Sequence, residues 1–174
     1  MQIAKIRAKN ILSRSKIGSG GYAINPYVGC PHGCIYCYAE FMRGVTGHEE
    51  AWGEFLDVKD FDTADLVKFA ASHGGERVFM SSVTDCYNPY EARFGATRKV
   101  LEALAGSDIN LQILTKSSLV TRDIDLLQTM PNVRVGVSLS VIDENLRRTL
   151  EPRASPAAAR IAAIKKLRAA GVKT

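Results

Sequence analysis

The sequence predicts an α/β fold organised around a parallel sheet. From residue 76 onward, short segments rich in Val, Ile and Leu alternate with helical segments of roughly 10–15 residues, which is the spacing of strand–helix–strand units. Such units have a right-handed crossover, so their strands are parallel. The chain has 174 residues, 46% of them apolar and 24% charged, with a mean hydropathy of -0.05, so it can bury the core of one globular domain.

Each predicted element has its own local signal. The predicted strands cover 22–28, 77–83, 110–115 and 133–140, with 172–174 as the start of another. The predicted helices cover 38–43, 91–105, a segment from 117 to about 130 capped by Ser117 or Ser118, a short segment capped by Asp143, and 156–170. Their inward faces are Val100, Leu101 and Leu104, then Val120, Ile124 and Leu127, then Ile161, Ile164 and Leu167.

The predicted strands end in polar side chains. These residues are Ser82, Thr84 and Asp85 after one strand, Thr115 and Lys116 after the next, and Ser138 and Ser140 after the third. The carboxyl ends of parallel strands gather at one edge of a sheet, where ligands of such folds bind. We therefore predict a polar ligand at this edge. Helix capping by the Ser and Thr residues is an alternative, and a solvated position is an alternative for Lys116.

Three of the four cysteines are too close together in sequence for a disulfide framework and indicate metal ligands. Cys30, Cys34 and Cys37 follow a Cys-x3-Cys-x2-Cys spacing in a segment that contains Gly and Pro. A structural zinc site needs four ligands, commonly from paired Cys-x2-Cys turns, so Cys86 or His32 would have to complete it. A 4Fe–4S cluster held by three cysteines leaves one iron open to a substrate or cofactor, and we favour this interpretation.

Basic charge is concentrated at the two ends of the sequence. Residues 1–50 carry a net charge of +3 and residues 151–174 carry +5, whereas the residues between them are slightly acidic. This pattern fits a loose basic arm and a solvated C-terminal helix, or else a face that meets phosphate backbones. We divide the chain into a basic N-terminal extension, 1–22, and a domain, 23–174.

The sequence has no apolar run of about 18 residues and no signal peptide, so we expect a cytoplasmic protein without a membrane span.

The cysteine segment resembles the signature of the radical S-adenosylmethionine (SAM) enzymes. The motif is Cys30-x3-Cys34-x2-Cys37, with an aromatic residue, Tyr36, before the last cysteine. Four wider segments resemble the spore photoproduct lyase-like, or "DNA repair photolyase", branch of this family. They are NPYVGCPHGCIYCYA, SVTDCYNPYE, LTKS and Glu151-Pro152-Arg153. The resemblance extends from about residue 25 to residue 153, and the cysteine motif is its most specific part.

The resemblance implies a partial (β/α)6 barrel similar to a TIM barrel, with the cluster in the loop after its first strand. Cys30, Cys34 and Cys37 would bind a 4Fe–4S cluster, and its open iron would bind SAM. The implied SAM contacts are Tyr36 through its backbone, Thr84, Lys116 facing the carboxylate, Ser138 or Ser140, and more weakly Arg153. One-electron reduction of SAM would then give a 5′-deoxyadenosyl radical that abstracts a hydrogen atom from a substrate. Nucleic acid is the leading substrate class, and an electron donor such as flavodoxin or ferredoxin is also implied.

Two features depart from the family pattern. Many radical SAM enzymes carry a Gly-Gly-Glu motif at the top of strand 2, whereas Gly74-Gly75-Glu76 precedes the strand here, and we interpret it as a turn. Photoproduct lyases place a hydrogen-donating cysteine near the position of Ser82, whose O–H bond is too strong for that role. Cys86 is the candidate replacement, or else it packs in the loop.

The number of strand–helix units is lower than a full barrel of this kind requires. About four units can be counted, and the last residues start what would be strand 5, so we expect a truncated barrel. The favoured function is a radical SAM enzyme, lyase-like and related to DNA repair photolyases. The alternative is a non-catalytic zinc- or cluster-binding module that binds nucleic acid.

Overall fold

The computed structural model describes residues 1–15 and 20–174, so part of the predicted basic extension lies outside the described residues. The strands are β1 (Gln2–Arg7), β2 (Leu12–Ser15), β3 (Gly21–Ile24), β4 (Tyr27–Val28), β5 (Phe55–Asp60), β6 (Arg77–Met80), β7 (Asn110–Thr115) and β8 (Arg134–Val137). The α-helices are α1 (Met42–Thr46), α2 (Ala64–Ser72), α3 (Glu91–Phe94), α4 (Ala96–Leu104), α5 (Ile124–Leu127), α6 (Glu144–Leu150) and α7 (Ala157–Ala169). Turns of 3-10 helix, Tyr38–Phe41 and Ser118–Asp123, precede α1 and α5.

A five-stranded sheet in the order β2-β3-β6-β7-β8 supports the candidate site. Strands β3, β6, β7 and β8 are mutually parallel, while β2 pairs antiparallel with β3 at one edge. At the other edge, Lys173 forms an isolated parallel bridge with Arg134 at the start of β8. The predicted α/β class and the parallel strands are confirmed.

The N-terminal residues form part of a second sheet. Strand β1 runs parallel to β5, and β4 pairs antiparallel with the other side of β5. The expectation of a loose basic arm is therefore wrong for residues 2–7 and 12–15, which form strands β1 and β2. Strand β1 has only a weak signal in the sequence, because its side chains are exposed or half-buried and show no regular apolar alternation.

The hydrophobic core lies between the parallel strands and the helices packed on them. The sheet contributes Val78, Met80, Leu111, Ile113 and Val135, and the helical segments contribute Val100, Leu101, Leu104, Val120, Leu127 and Leu167. The inward faces predicted for 91–105 and 117–130 are confirmed, with Ile124 partly buried. Within residues 1–15 and 20–174, no helix is long and apolar enough to cross a membrane.

Several helices differ from the prediction in detail. The predicted helix 91–105 is divided into α3 and α4 at Gly95, which adopts a left-handed conformation with φ +64°. The predicted helix 117–130 is largely 3-10 helix, and Ser117 caps it by accepting from the amide of Leu119. In α7 the predicted inward residue Leu167 is fully buried and Ile164 is half-buried, but Ile161 is 38% exposed, and the side chain of Arg160 is fully buried instead. Because α7 is rich in Ala, its apolar residues do not fix which face turns inward.

Candidate active site

The cysteine segment forms a tight loop between β4 and the Tyr38–Phe41 helix. Gly29 has φ +79°, and a Cβ atom there would lie 2.5 Å from the carbonyl oxygen of Phe55, so only glycine fits. Two backbone hydrogen bonds turn the loop, from the amide of Gly33 to Cys30 (3.1 Å) and from the amide of Cys37 to Cys34 (3.1 Å). These turns direct the three cysteines toward one cavity.

This cavity lies at the carboxyl ends of β6, β7 and β8. The cysteine loop forms one side of it, and the strand ends form the other. Its lining residues are Cys30, His32, Cys34, Cys37, Tyr38, Ala39, Phe79, Ser81, Ser82, Val83, Thr84, Asp85, Leu114, Thr115, Lys116 and Ser138. The structure thus brings together six of the predicted site residues, namely Cys30, Cys34, Cys37, Thr84, Lys116 and Ser138. The roles assigned to them stay predictions.

Two predicted SAM contacts lie beside the cavity lining. Tyr36 is 47% exposed, and the ammonium nitrogen of Lys116 lies 5.5 Å from the centroid of its ring. Its hydroxyl group donates to the carboxylate of Glu151. Ser140 is exposed next to Tyr36. The backbone of Tyr36, rather than its ring, therefore remains the part of this residue predicted to meet SAM.

Arg153 and Cys86 lie in places that do not favour their predicted roles. The guanidinium of Arg153 donates to the carbonyl oxygens of Pro31 and Gly53 and to the carboxylate of Glu54, so it supports the cysteine loop from outside the cavity. Cys86 is fully buried in the hydrophobic core and does not line the cavity. Direct hydrogen-atom transfer from its thiol to a bound substrate would require the cavity to change shape.

Burial favours the protonated form of two of the loop thiols, Cys30 and Cys34. Burial raises the pKa of Cys30, and it raises the pKa of Cys34 to about 11, although the positive charge of Lys116 opposes this shift at Cys34. Thiolates are the metal-binding form, so assembly of a metal centre here must release protons. In the described residues 1–15 and 20–174, no three His, Cys, Asp or Glu side chains are gathered as ligands of a single metal ion.

Asp85 is a site residue that the sequence indicates only as polar and that the structure places in the lining of the cavity. It is 7% exposed, and its carboxylate oxygens accept hydrogen bonds from Thr115 and from the amide of Lys116. Burial raises the pKa of Asp85, but the nearby His32 and these hydrogen bonds lower it further, so the net shift is downward. The group is therefore a buried carboxylate anion at neutral pH.

A second buried network has no signal in the sequence. The fully buried Glu151 accepts from the hydroxyl of Tyr36 and from the guanidinium of Arg160. Arg160 also donates to the carbonyl oxygens of Ser138 (2.9 Å) and Ser155 (2.6 Å). The network joins the cysteine loop to the end of β8. Glu151 belongs to the Glu151-Pro152-Arg153 segment of the sequence, but nothing in that segment indicates that its partner is Arg160, nine residues further on.

Comparison with known proteins identifies the family. The family model of the Radical SAM superfamily matches residues 24–174, which include the cysteine loop and the parallel strands β3, β6, β7 and β8 of the five-stranded sheet, except the first three residues of β3. The chain belongs to the radical SAM superfamily. The predicted resemblance is therefore confirmed at the level of the superfamily.

Relatives of this radical SAM protein occur in archaea and bacteria. It is 38% identical over 173 residues to the uncharacterized protein MJ0683 of Methanocaldococcus jannaschii, which covers 99% of this chain and 65% of that protein. It is 37% identical over 169 residues to the uncharacterized protein Rv2578c of Mycobacterium tuberculosis, covering 87% of this chain and 46% of the relative. The chain thus spans between about half and two thirds of the length of these relatives.

Solved structures of spore photoproduct lyase share the fold. The lyase complexed with dinucleoside spore photoproduct superposes with a TM-score of 0.71 at 22% identity, covering 98% of this chain and 49% of that chain. A mutant of the lyase with bound AdoMet and dinucleoside spore photoproduct gives a TM-score of 0.70 at 21% identity, with 48% of that chain covered. At these identities the similarity establishes a common fold.

Proposed function

We propose that this radical SAM protein is an enzyme that holds a 4Fe–4S cluster on Cys30, Cys34 and Cys37 and uses it to cleave SAM reductively. One observation carries the proposal: the three cysteines line the same cavity as Lys116 and Ser138, at the carboxyl ends of parallel strands. When bound, the cluster and SAM supply a 5′-deoxyadenosyl radical that abstracts a hydrogen atom from a substrate.

The donor set fits these groups. Three thiols are the soft ligands that iron–sulfur clusters prefer, and a set of three leaves one iron for SAM. Lys116 is half-buried at the cavity; burial lowers its pKa, but nearby acidic groups, including Glu151 and Asp85, outweigh this effect, so the net shift of the pKa is upward. The residue therefore presents a fixed positive charge that matches the carboxylate of SAM.

Other residues of this chain shape and close the cavity. The hydroxyl of Thr84 donates to the carbonyl oxygen of Gly29, which joins the end of β6 to the residue before Cys30. The hydroxyl of Tyr38 donates to the carbonyl oxygen of Ser82 and joins the other end of the loop to the same strand end. Phe79 adds an apolar wall. These contacts hold the cysteine loop against the strands of the proposed (β/α)6 partial barrel.

Anaerobic reconstitution with iron and sulfide tests the proposal. We expect a brown protein with about four irons per chain, by cluster stoichiometry, and a reduced EPR signal that changes when SAM is added. Under dithionite the protein should form 5′-deoxyadenosine. A colourless protein that binds one zinc would contradict the proposal and favour the non-catalytic metal-binding module.

Matched cysteine variants locate the cluster. Cys34→Ala should abolish the SAM-responsive EPR signal, because it removes a cavity thiol. Cys86→Ala should keep the wild-type iron content, because this thiol lies in the core and outside the cavity lining. Equal iron loss in both variants would indicate general unfolding rather than loss of a ligand.

Nucleic acid is the substrate class that we propose. The support is the fold shared with a lyase that is complexed with a dinucleoside spore photoproduct. Formation of 5′-deoxyadenosine should then increase when irradiated or unirradiated DNA, or RNA, is added, and the stimulating species identifies the substrate. A small metabolite that stimulates the reaction in place of all three would overturn this part of the proposal.

The same proposal includes the electron donor of the cluster and the cellular compartment of the protein. A flavodoxin or ferredoxin would deliver the electron to the cluster, and the cytoplasm would keep the loop thiols reduced. Replacing dithionite by reduced flavodoxin in the 5′-deoxyadenosine assay tests the donor directly. No product with either flavodoxin or ferredoxin, alongside normal turnover with dithionite, would exclude both.

A further inference from the structure

We propose that Asp85 is a positioning residue of the radical SAM centre, which fixes the cysteine loop relative to Lys116 and sets a negative charge beside the cluster. The inference rests on the proposed function, because it concerns the cluster and SAM that the cavity would hold. It assigns a role to a residue that belongs neither to the cysteine motif nor to the predicted SAM contacts.

The carboxylate of Asp85 connects separate parts of the chain. Its Oδ1 atom accepts from the hydroxyl of Thr115 (2.7 Å) and from the amide of Tyr87 (2.9 Å). Its Oδ2 atom accepts from the amide of Lys116 (2.8 Å) and lies 3.1 Å from Nε2 of His32. Four groups thus converge on one buried anion, of which one belongs to the cysteine loop and two belong to the end of β7.

His32 links Asp85 to the cluster ligands. It lies between Cys30 and Cys34 in sequence and is 2% exposed. Its Nδ1 atom is 3.1 Å from the carbonyl oxygen of Arg153, whose amide donates back to the carbonyl oxygen of His32 (3.3 Å). On the other side, Nε2 lies 3.1 Å from the Oδ2 atom of Asp85. The loop is therefore held between Asp85 and the segment after α6.

Asp85 also fixes the backbone that carries Lys116. Thr115 is 1% exposed, and its hydroxyl oxygen accepts from the amide of Ser117 while its proton is donated to Asp85. The amide of Lys116 lies between these two contacts and is bound to the same carboxylate. The backbone position from which the Lys116 side chain extends is thereby fixed relative to the cysteine loop. Loss of the carboxylate would leave three buried donors without their acceptor.

A buried anion beside an iron–sulfur cluster also affects its redox chemistry. Net charge, hydrogen bonding and solvent exposure around the sulfur ligands set the reduction potential of such clusters. Negative charge favours the more oxidised, less negative cluster, so Asp85 should lower the potential. Neutralising this residue should therefore make the cluster easier to reduce.

The test compares Asp85→Asn with Asp125→Asn in the reconstituted protein. Asp125 undergoes the same chemical change but lies exposed in α5, paired with Arg98. We expect Asp85→Asn to keep its iron content, to shift the midpoint potential in an EPR-monitored titration to a more positive value, and to bind SAM about tenfold more weakly. Asp125→Asn should match the wild type in all three measurements. An Asp85→Asn protein with the wild-type potential and SAM affinity would overturn the proposal.

The Thr115→Val variant separates the positioning role of Asp85 from the effect of its negative charge. It also provides a second test if the Asp85→Asn protein does not fold. The substitution removes the hydrogen bond from Thr115 to Asp85 and the acceptor of the Ser117 amide, but it retains the carboxylate. We expect weaker SAM binding with an unchanged midpoint potential, and an unchanged SAM affinity would refute the positioning role. A wild-type protein that assembles no cluster would instead refute the proposed function, so the two failures are distinguishable.

Discussion

Arg160 and Glu151 form an ion pair in which both side chains are fully buried. The pair is surrounded by polar groups of the candidate site, since Glu151 also accepts from Tyr36 and Arg160 also donates to the carbonyl oxygen of Ser138. A charge pair removed from water is stable only when each ion keeps its partners. The pair therefore makes the position of the cysteine loop depend on how α7 packs.

Removing Arg160 should be strongly destabilising. Arg160→Met leaves Glu151 as a buried charge without its counterion, and we expect a loss of about 3–5 kcal/mol in the free energy of unfolding. Urea denaturation followed by circular dichroism measures this loss. Arg168→Met, an exposed position of the same helix, is the control and should change stability little. Equal stability of the two variants would contradict this account.

The Glu151 carboxylate should also make stability depend on pH. Burial raises its pKa, but the hydroxyl of Tyr36 and the guanidinium of Arg160 lower it further, so the folded-state pKa lies below the unfolded value of about 4.3. Its contribution is therefore fully present above the unfolded pKa and is lost as pH falls through the folded pKa. Urea unfolding at about pH 7 and about pH 3 should show a larger loss in the wild type than in Glu151→Gln. The same loss in both would assign acid sensitivity to other carboxylates.

Local patterns in the sequence predicted the elements that carry the site. Strand β7 ends at Thr115, and Lys116 follows it, as the apolar segment and its polar end indicated. The spacing of the cysteines predicted three metal ligands from one short segment, and all three of these cysteines line one cavity. Such features depend on neighbours within a few residues, which a single sequence displays.

Contacts between distant residues could not be predicted in the same way. His32 meets Asp85 across 53 positions, and neither residue has a local pattern that names the other. The orientation of α7 is a similar case, because Ile161 satisfies the apolar periodicity better than Arg160 does. Only the position of Glu151, at the end of α6, explains why the helix buries its arginine.

A left-handed glycine beside Cys30 provides a test of loop geometry. Gly29→Ala combines a positive φ with a Cβ atom that would lie 2.5 Å from the carbonyl oxygen of Phe55. Gly47 also has a positive φ, but a Cβ atom there would meet nothing within 4 Å. Gly47→Ala should therefore cost about 1–2 kcal/mol in stability from the backbone alone, and Gly29→Ala should cost about 1–3 kcal/mol more from the clash. Thermal unfolding and iron content measure both variants, and equal losses would remove the steric argument.

The basic residues near the end of the chain should bind nucleic acid without acting at the cavity. Lys165 and Lys166 are exposed in the second half of α7, and Lys173 pairs with the start of β8, whereas the cavity is at the other end of the strands. The double variant Lys165→Glu and Lys166→Glu should weaken binding to duplex DNA. The slope of log K against log salt concentration should become shallower by roughly 0.9 for each phosphate that the variant no longer neutralises. Basal formation of 5′-deoxyadenosine, without nucleic acid, should stay unchanged. A loss of this basal activity would place these lysines at the site.

Lys116 provides the most direct test of the SAM position. The Lys116→Met variant retains most of the apolar stem but removes the charge predicted to meet the SAM carboxylate. Hydrogen bonds to charged groups contribute about 1.5–3 kcal/mol, so the dissociation constant of SAM should rise by roughly tenfold to a hundredfold. Iron content should not change, because the cysteines are intact. The variant's affinity can be read from the SAM-induced change in the EPR signal.

Lys99 is the matched control for Lys116. Its ammonium nitrogen also lies over an aromatic ring, 4.5 Å from the centroid of Phe61, but it is away from the cavity. Lys99→Met removes the same charge and the same kind of cation–π contact, so any general effect of the substitution appears in both variants. We expect Lys99→Met to bind SAM like the wild type. Equal SAM affinity of Lys116→Met and Lys99→Met would show that Lys116 does not contact the cofactor, and the carboxylate would have to be bound elsewhere in the cavity, with Ser138 and Thr84 as the remaining predicted contacts.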